Sequence, residues 1–174
     1  GTTFDIFEEL FEKGLKPENV FLIGKCYSTN KETFDLFQKR GVNISEASFA
    51  FDSHISFDEL FQKNIEKFFK NIQSSVDLKS FERVVILDDG GYLIALSNDF
   101  LKGLQNVVGV EQTTSGYEKI KTLKLNFPVL NIARSKAKLE IESPFIAEIA
   151  AEKIEEYLQK NHVKNPNILV VGVG

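Results

Sequence analysis

The chain has 174 residues, 43% of them hydrophobic and 26% charged. These are the proportions of a globular domain, and they exclude a wholly disordered chain, a collagen-like one and a coiled coil. Its 25 acidic and 21 basic residues leave a formal net charge of -4, which argues against a general binder of nucleic acid or membrane surfaces. The single cysteine, Cys26, excludes an internal disulfide. With only His54 and His162 beside it, a zinc cage is not expected either, and a reducing, cytoplasmic compartment fits best. Methionine and tryptophan are absent while phenylalanine reaches 16, so phenylalanine must fill much of the core. No segment approaches the roughly 18 apolar residues of a membrane span.

In chain order, Phe4, Phe7, Leu10 and Phe11 recur at helical spacing, and Gly14 then Pro17 close that helix. The run Val20 to Gly24 reads as a strand, Thr29 to Arg40 as a helix closed by Gly41, and Val42 to Phe51 as a second strand. Thr29 with Glu32, and Ser56 with Glu59, form capping boxes. The second opens a helix with Phe57, Leu60, Phe61, Ile65, Phe68 and Ile72 on one face. Further apolar strands are predicted at Val84 to Leu87, Val107 to Val110, Phe127 to Ala133 and Ile168 to Val171. Helices are expected near 92–103, 115–125 and 143–160, the last capped by Ser143 with Pro144 in its first turn. Fully apolar strands alternating with helices predict an α/β fold. Its sheet would be doubly wound and mostly parallel, with helices on both faces, as in Rossmann-like and flavodoxin-like folds.

In such sheets ligands bind beyond the carboxyl ends of the strands, so the residues after each strand carry the argument. Asp88-Asp89-Gly90-Gly91 reads equally as a tight turn and as a carboxylate held at the sheet edge for sugar hydroxyls. Glu111 to Gly116 brings three successive hydroxyls, Thr113, Thr114 and Ser115, to a helix start. Ser115 and Glu118 there form a third capping box, and the hydroxyls make a candidate anion or sugar site. Asn131 to Ser143 is a charged loop in which Lys138 and Glu142, four apart, pair if the backbone is helical. Cys26 reads as a small buried residue, and His54, near Asp52, as a lone histidine. Finally, Ile168 to Gly174 reads as a strand entering a dinucleotide-binding glycine turn, with Gly172 and Gly174 as its first two glycines.

Together these segments resemble the S-adenosyl-L-homocysteine hydrolase family. The carrying residues are Leu87-Asp88-Asp89-Gly90-Gly91, then Gly109 through Gly116, then Phe127 through Asn131, then Lys138 and Glu142, then the strand into Gly172-Val173-Gly174. Order and spacing agree from about residue 83 onward. Before residue 80 the likeness rests mainly on Gly24 through Thr29. The resemblance implies a substrate-binding α/β domain over 1–142, an interdomain helix and connection over 143–164, and the first strand of a truncated NAD-binding Rossmann domain over 165–174. It also implies a homo-oligomer in full-length form, an adenosine-like substrate, and NAD as a cofactor that this piece alone does not hold tightly. Members of the family oxidise the ribose 3′-hydroxyl with NAD, eliminate homocysteine, add water and reduce the ketone again. Carried over by position, Thr29, Asp89 and Gln112 look like substrate contacts, and Lys138 and Glu142 like the catalytic pair. Thr113, Thr114, Ser115, Ser143, Gly172 and Gly174 look like cofactor contacts.

Five departures set this chain apart, one of them that the family's Gln-Asp pattern after the second strand is not recognisable near Asp52 to His54. Gln112 stands where the family has a glutamate, Glu142 where it has an aspartate, Ser143 where it has an asparagine, and Tyr92 where it has an acidic residue. Glutamine keeps the shape but neither holds a negative charge nor takes a proton. The sequence therefore carries a second reading, a homologue that binds a nucleoside or NAD without hydrolysis, as a sensor or interaction module. A weaker third is a relative of the 2-hydroxyacid dehydrogenases, which share this architecture.

Overall fold

The computed structural model describes residues 2–169. Two compact units are present. One comprises the residues through Glu82 together with Leu96–Leu104, and the other comprises Arg83–Ala95 together with the residues from Gln105 onward. Both are α/β with parallel sheets and flanking helices, an arrangement compatible with a Rossmann-like fold. Instead of the one continuous sheet expected from the sequence, the described residues form a two-stranded and a three-stranded sheet.

In the first unit, helix α1 (Thr2–Glu12) and helix α2 (Lys31–Lys39) flank strands β1 (Phe21–Leu22) and β2 (Asn43–Ile44), which pair in parallel. Phe7, Val20, Phe37 and Val42 form its core, with Phe4, Phe11 and Leu15 packed against them. The Phe7 and Phe37 rings meet edge to face at 5.6 Å, as do Phe4 and Phe37 at 5.2 Å. The long strand predicted over Val42 to Phe51 is corrected to the two residues of β2. Ser45 then accepts a hydrogen bond from Ala47 N and starts a 3-10 turn, Glu46–Phe49. Helix α3 (Phe57–Ser75) buries Phe61, Ile65, Phe68, Phe69 and Ile72 along one face, as its periodicity requires, and Ser56 caps it.

The second unit holds strands β3 (Val84–Asp88), β4 (Val107–Glu111) and β5 (Val129–Asn131), paired in parallel in the order β3-β4-β5. Val84 pairs with Val107 and Asp88 with Glu111, while Gly109 pairs with Val129 and Glu111 with Asn131. Since side chains alternate across a strand, Ile86, Asp88, Val107, Gly109 and Glu111 share one face, and all are buried. On the other face, the edge-strand residues Val85 and Leu130 are each 59% exposed. Helix α4 (Tyr92–Phe100) follows β3, and the division between the units passes through it. Helix α5 (Thr114–Ile120) follows β4.

After β5, a single π-helical turn, Lys138–Glu142, runs without a break into helix α6 (Ser143–Lys160). Ser143 is therefore not the cap expected from the sequence. It is already inside helical backbone, and its hydroxyl donates to Lys138 O at 2.8 Å. The predicted strand Ile168 to Val171 and the glycines Gly172 and Gly174 lie, from residue 170 on, outside the described residues. Ile168 and Leu169 are exposed and carry no strand pairing. Among the described residues, no helix is long and apolar enough to cross a membrane.

Candidate functional site

The parallel register settles where the strand-end residues lie. Asp88, Glu111 and Asn131 are aligned neighbours across β3, β4 and β5, so Asp89, Gln112 and Asn131 occupy one carboxyl edge. Gly90 and Gly91 take φ of 110° and 74°, which glycine adopts at little cost, and this turns the chain sharply after Asp89. The turn reading and the edge-carboxylate reading of this tetrapeptide are thus compatible. Asp89 is exposed and Gln112 half-buried, and Gln112 N donates to Asp88 O at 3.0 Å. Asn131 Oδ1 accepts from Ala133 N at 3.0 Å, which fixes the exit of β5.

Beneath this edge lie two buried carboxylates, Asp88 at 3% exposure and Glu111 at 0%. Each serves the helix that follows its strand. Asp88 Oδ2 accepts from Ile94 N in the first turn of α4 at 2.9 Å. Glu111 Oε1 accepts from Thr113 N at 2.8 Å, from Thr113 Oγ1 at 2.7 Å and from Gly90 N at 3.2 Å. Orphan amides at a helix start attract anions, but here the chain supplies its own. The anion site expected at the hydroxyl run is therefore already occupied by Glu111.

The cap of α5 is also corrected. Thr113, not Ser115, is the N-cap, and its hydroxyl accepts from Gly116 N at 3.0 Å. That hydroxyl is committed to Glu111 and Gly116 and also lies 3.4 Å from Ser115 Oγ, so Thr114 is the member of the trio left for a ligand.

Lys138 and Glu142 do pair, Nζ to Oε1 at 2.7 Å, because the π-helical turn places them on one side. The lysine side chain is 26% exposed, and Ser135 Oγ holds its backbone N at 3.3 Å.

Thr29 belongs to the first unit. It is not the cap of α2. Asn30 takes that place, accepting from Thr33 N at 2.9 Å, and the Thr29 hydroxyl donates to Lys25 O at 2.9 Å. Gly24 N is held by the buried Ser48 Oγ at 2.8 Å, and a side chain at Gly24 would strike the Thr29 hydroxyl. Beyond the carboxyl ends of β1 and β2, Cys26, Tyr27, Phe49, Phe51, Ile55 and Phe57 line a mostly apolar cavity of about 240 Å³, with Asp52 on its wall. The Tyr27 and Phe57 rings lie 4.9 Å apart. His54 is exposed, and its backbone N is bound by Asp52 Oδ1 at 2.9 Å in a local turn.

Sequence reasoning missed Glu111 and this aromatic cavity as site elements. Strand parity was the available signal for the first, since Glu111 shares its alternation with Val107 and Gly109. For the second it was the aromatic residues that follow two parallel strands.

No family model matches the chain, and no solved structure matches it. Two uncharacterized proteins, from two strains of Mycobacterium tuberculosis, are each 44% identical to it over 146 residues. The match takes in 84% of this chain and 29% of each relative, so the chain spans less than a third of the length of the curated relatives it matches.

Proposed function

We propose that this chain is the nucleoside-binding part of an S-adenosylhomocysteine hydrolase-like protein, acting in full-length form on S-adenosylhomocysteine or a related nucleoside. The observation that carries the reading is the single row formed by Asp89, Gln112 and Asn131 at the carboxyl edge of β3-β4-β5. A carboxylate and two amides in a row suit the hydroxyls of a sugar.

In this reading Asp89 accepts hydrogen bonds from ribose hydroxyls, and Gln112 donates or accepts beside it. Lys138 Nζ passes its proton to Glu142, 2.7 Å away, and as the neutral amine takes the proton of the 3′-hydroxyl. NAD, when bound, supplies hydride acceptance from the ribose carbon and its later return. Among the described residues, Thr114 offers a hydroxyl that fits such a group, Ser115 and Ser143 can only accept or share theirs because they already bond Thr113 Oγ1 and Lys138 O, and Gly172 and Gly174 lie beyond them. Gln112 favours a second reading, a homologue that binds the nucleoside without completing hydrolysis, because an amide cannot take up a proton.

The test is calorimetric titration of adenosine and S-adenosylhomocysteine into the chain and into Asp89→Asn. Charge-assisted hydrogen bonds contribute about 1.5–3 kcal/mol each, so the variant is expected to bind at least about tenfold more weakly. Equal affinity for the two proteins returns Asp89 to being a turn residue only. Homocysteine release by the full-length protein separates the hydrolytic reading from the binding one.

A further inference from the structure

We propose that Glu111 is the positioning residue of the nucleoside site, locking the turn that carries Asp89 to the segment that carries Gln112. This inference rests on the nucleoside reading above. A single atom, Glu111 Oε1, accepts from Gly90 N at 3.2 Å and from Thr113 N and Oγ1 at 2.8 and 2.7 Å. Gly90 directly follows Asp89, and Thr113 directly follows Gln112. The strand ladder already holds the two proposed sugar contacts side by side through Gln112 N and Asp88 O at 3.0 Å, and Glu111 Oε1 ties the turns that follow them to each other.

The lock has no slack. A Cβ at Gly116 would lie 2.6 Å from Glu111 Oε2 and nearer still to Oε1. A Cβ at Gly91, whose φ is +74°, would lie 2.7 Å from Gly116 O and 3.0 Å from its Cα. Gly91, Gly116 and the Glu111 carboxylate therefore fill one another's space. Strand β4 has no need of an acid here. Glu111 is fully buried, and its Oε2 has no hydrogen-bond partner. Burying a half-satisfied carboxylate is costlier than burying an apolar side chain of similar size. Its presence is explained by what Oε1 joins.

The experiment compares the chain with Glu111→Gln, Gly116→Ala and the double variant Glu111→Asp/Gly116→Ala. It measures adenosine affinity by calorimetry and amide exchange by NMR at a temperature where each is folded. Glutamine keeps the acceptor oxygen but weakens the bonds it makes by removing the charge. Glu111→Gln is expected to lose protection at Gly90 and Thr113 together and to bind adenosine about tenfold more weakly. Gly116→Ala acts on the same contact from the other side and stands in if Glu111→Gln does not fold. The shorter aspartate makes room for the new methyl group but withdraws the oxygen from Gly90 N and Thr113, so the double variant is expected to bind adenosine no better than Gly116→Ala, and recovery to within twofold of the parent overturns the lock. Adenosine affinity within twofold of the parent in Glu111→Gln, or unchanged exchange at Gly90, overturns the lock. A parent chain that binds no adenosine overturns the proposed function instead. In that case exchange alone decides the lock: joint loss of protection at Gly90 and Thr113 upholds it, and independent exchange overturns it.

Discussion

Ser48 is fully buried, and both sides of its hydroxyl are used. Oγ accepts from Gly24 N at 2.8 Å and donates to Ser45 O at 2.6 Å. One atom group thereby ties the exit of β1 to the turn after β2. Ser48→Ala removes it with little change in volume and strands a backbone amide, a loss of about 1–3 kcal/mol. Urea denaturation is expected to show that loss, and an unchanged midpoint would mean that water takes over the amide. Residues like Ser48 and Glu111 were poorly legible in the sequence. A serine in Glu46–Phe49 looks like any turn residue, and Glu111 sits beside Gln112 in a hydrophilic run. Their roles come from partners far along the chain, Gly24 for one and Gly90 for the other.

At the level of elements, the capping motifs divide. Ser56 caps α3 where its motif placed it, accepting from Glu59 N at 3.2 Å. The cap of α2 moved one residue, from Thr29 to Asn30, and that of α5 moved two, from Ser115 to Thr113. The pattern of a hydroxyl followed three residues later by an acid arises by chance in a chain rich in Ser, Thr and Glu. The residue that leaves the preceding turn in extended backbone takes the place, as Asn30 and Thr113 do. The two true caps that carry hydroxyls make different predictions. Ser56→Ala loses one exposed cap bond, about 1 kcal/mol. Thr113→Ala loses its cap bond and a donor to a buried carboxylate, so about 2–4 kcal/mol is expected. Thr113→Ser keeps both. Equilibrium unfolding of the three variants distinguishes the roles, and equal losses for Ser56→Ala and Thr113→Ala would reduce Thr113 to a simple cap.

Taken as a whole, the molecule leaves much apolar surface uncovered on α6. Phe145 is 61% exposed, Ile146 55%, Ile149 41%, Ile154 42% and Tyr157 65%. The helix periodicity in the sequence was correct, but periodicity shows only that a face is apolar and says nothing of what it packs against. Contiguous apolar patches beyond a few hundred Å² are rare on monomers, so the chain is expected to associate with itself as concentration rises. Ile149→Glu in the middle of this face is expected to reduce that association in sedimentation velocity. Because the site is exposed, its effect on stability should stay within about 0.5 kcal/mol. Association unaffected by the substitution would exclude the face. The parallel strands of the second unit were the most legible feature, since Val84 to Leu87 and Val107 to Val110 are apolar throughout, although Val85 stays 59% exposed on its edge strand. The short β1 and β2 were less so, because two paired residues each leave almost no periodic signal.

The π-helical turn places Lys138 in the first turn of a rod whose helical backbone starts at residue 136. Glu142 has helical φ and ψ of -68° and -47°, so no joint separates the turn from the 18 residues of α6. Ser143 staples the first turn to Lys138 O, and Glu142 grips the ammonium. At about 1.5 Å per residue the rod reaches roughly 27 Å, and a tilt of about 10° at the root sweeps its tip by roughly 5 Å. A contact that seats the far end of α6 also aims Lys138, and a ligand that fixes Lys138 also steers α6.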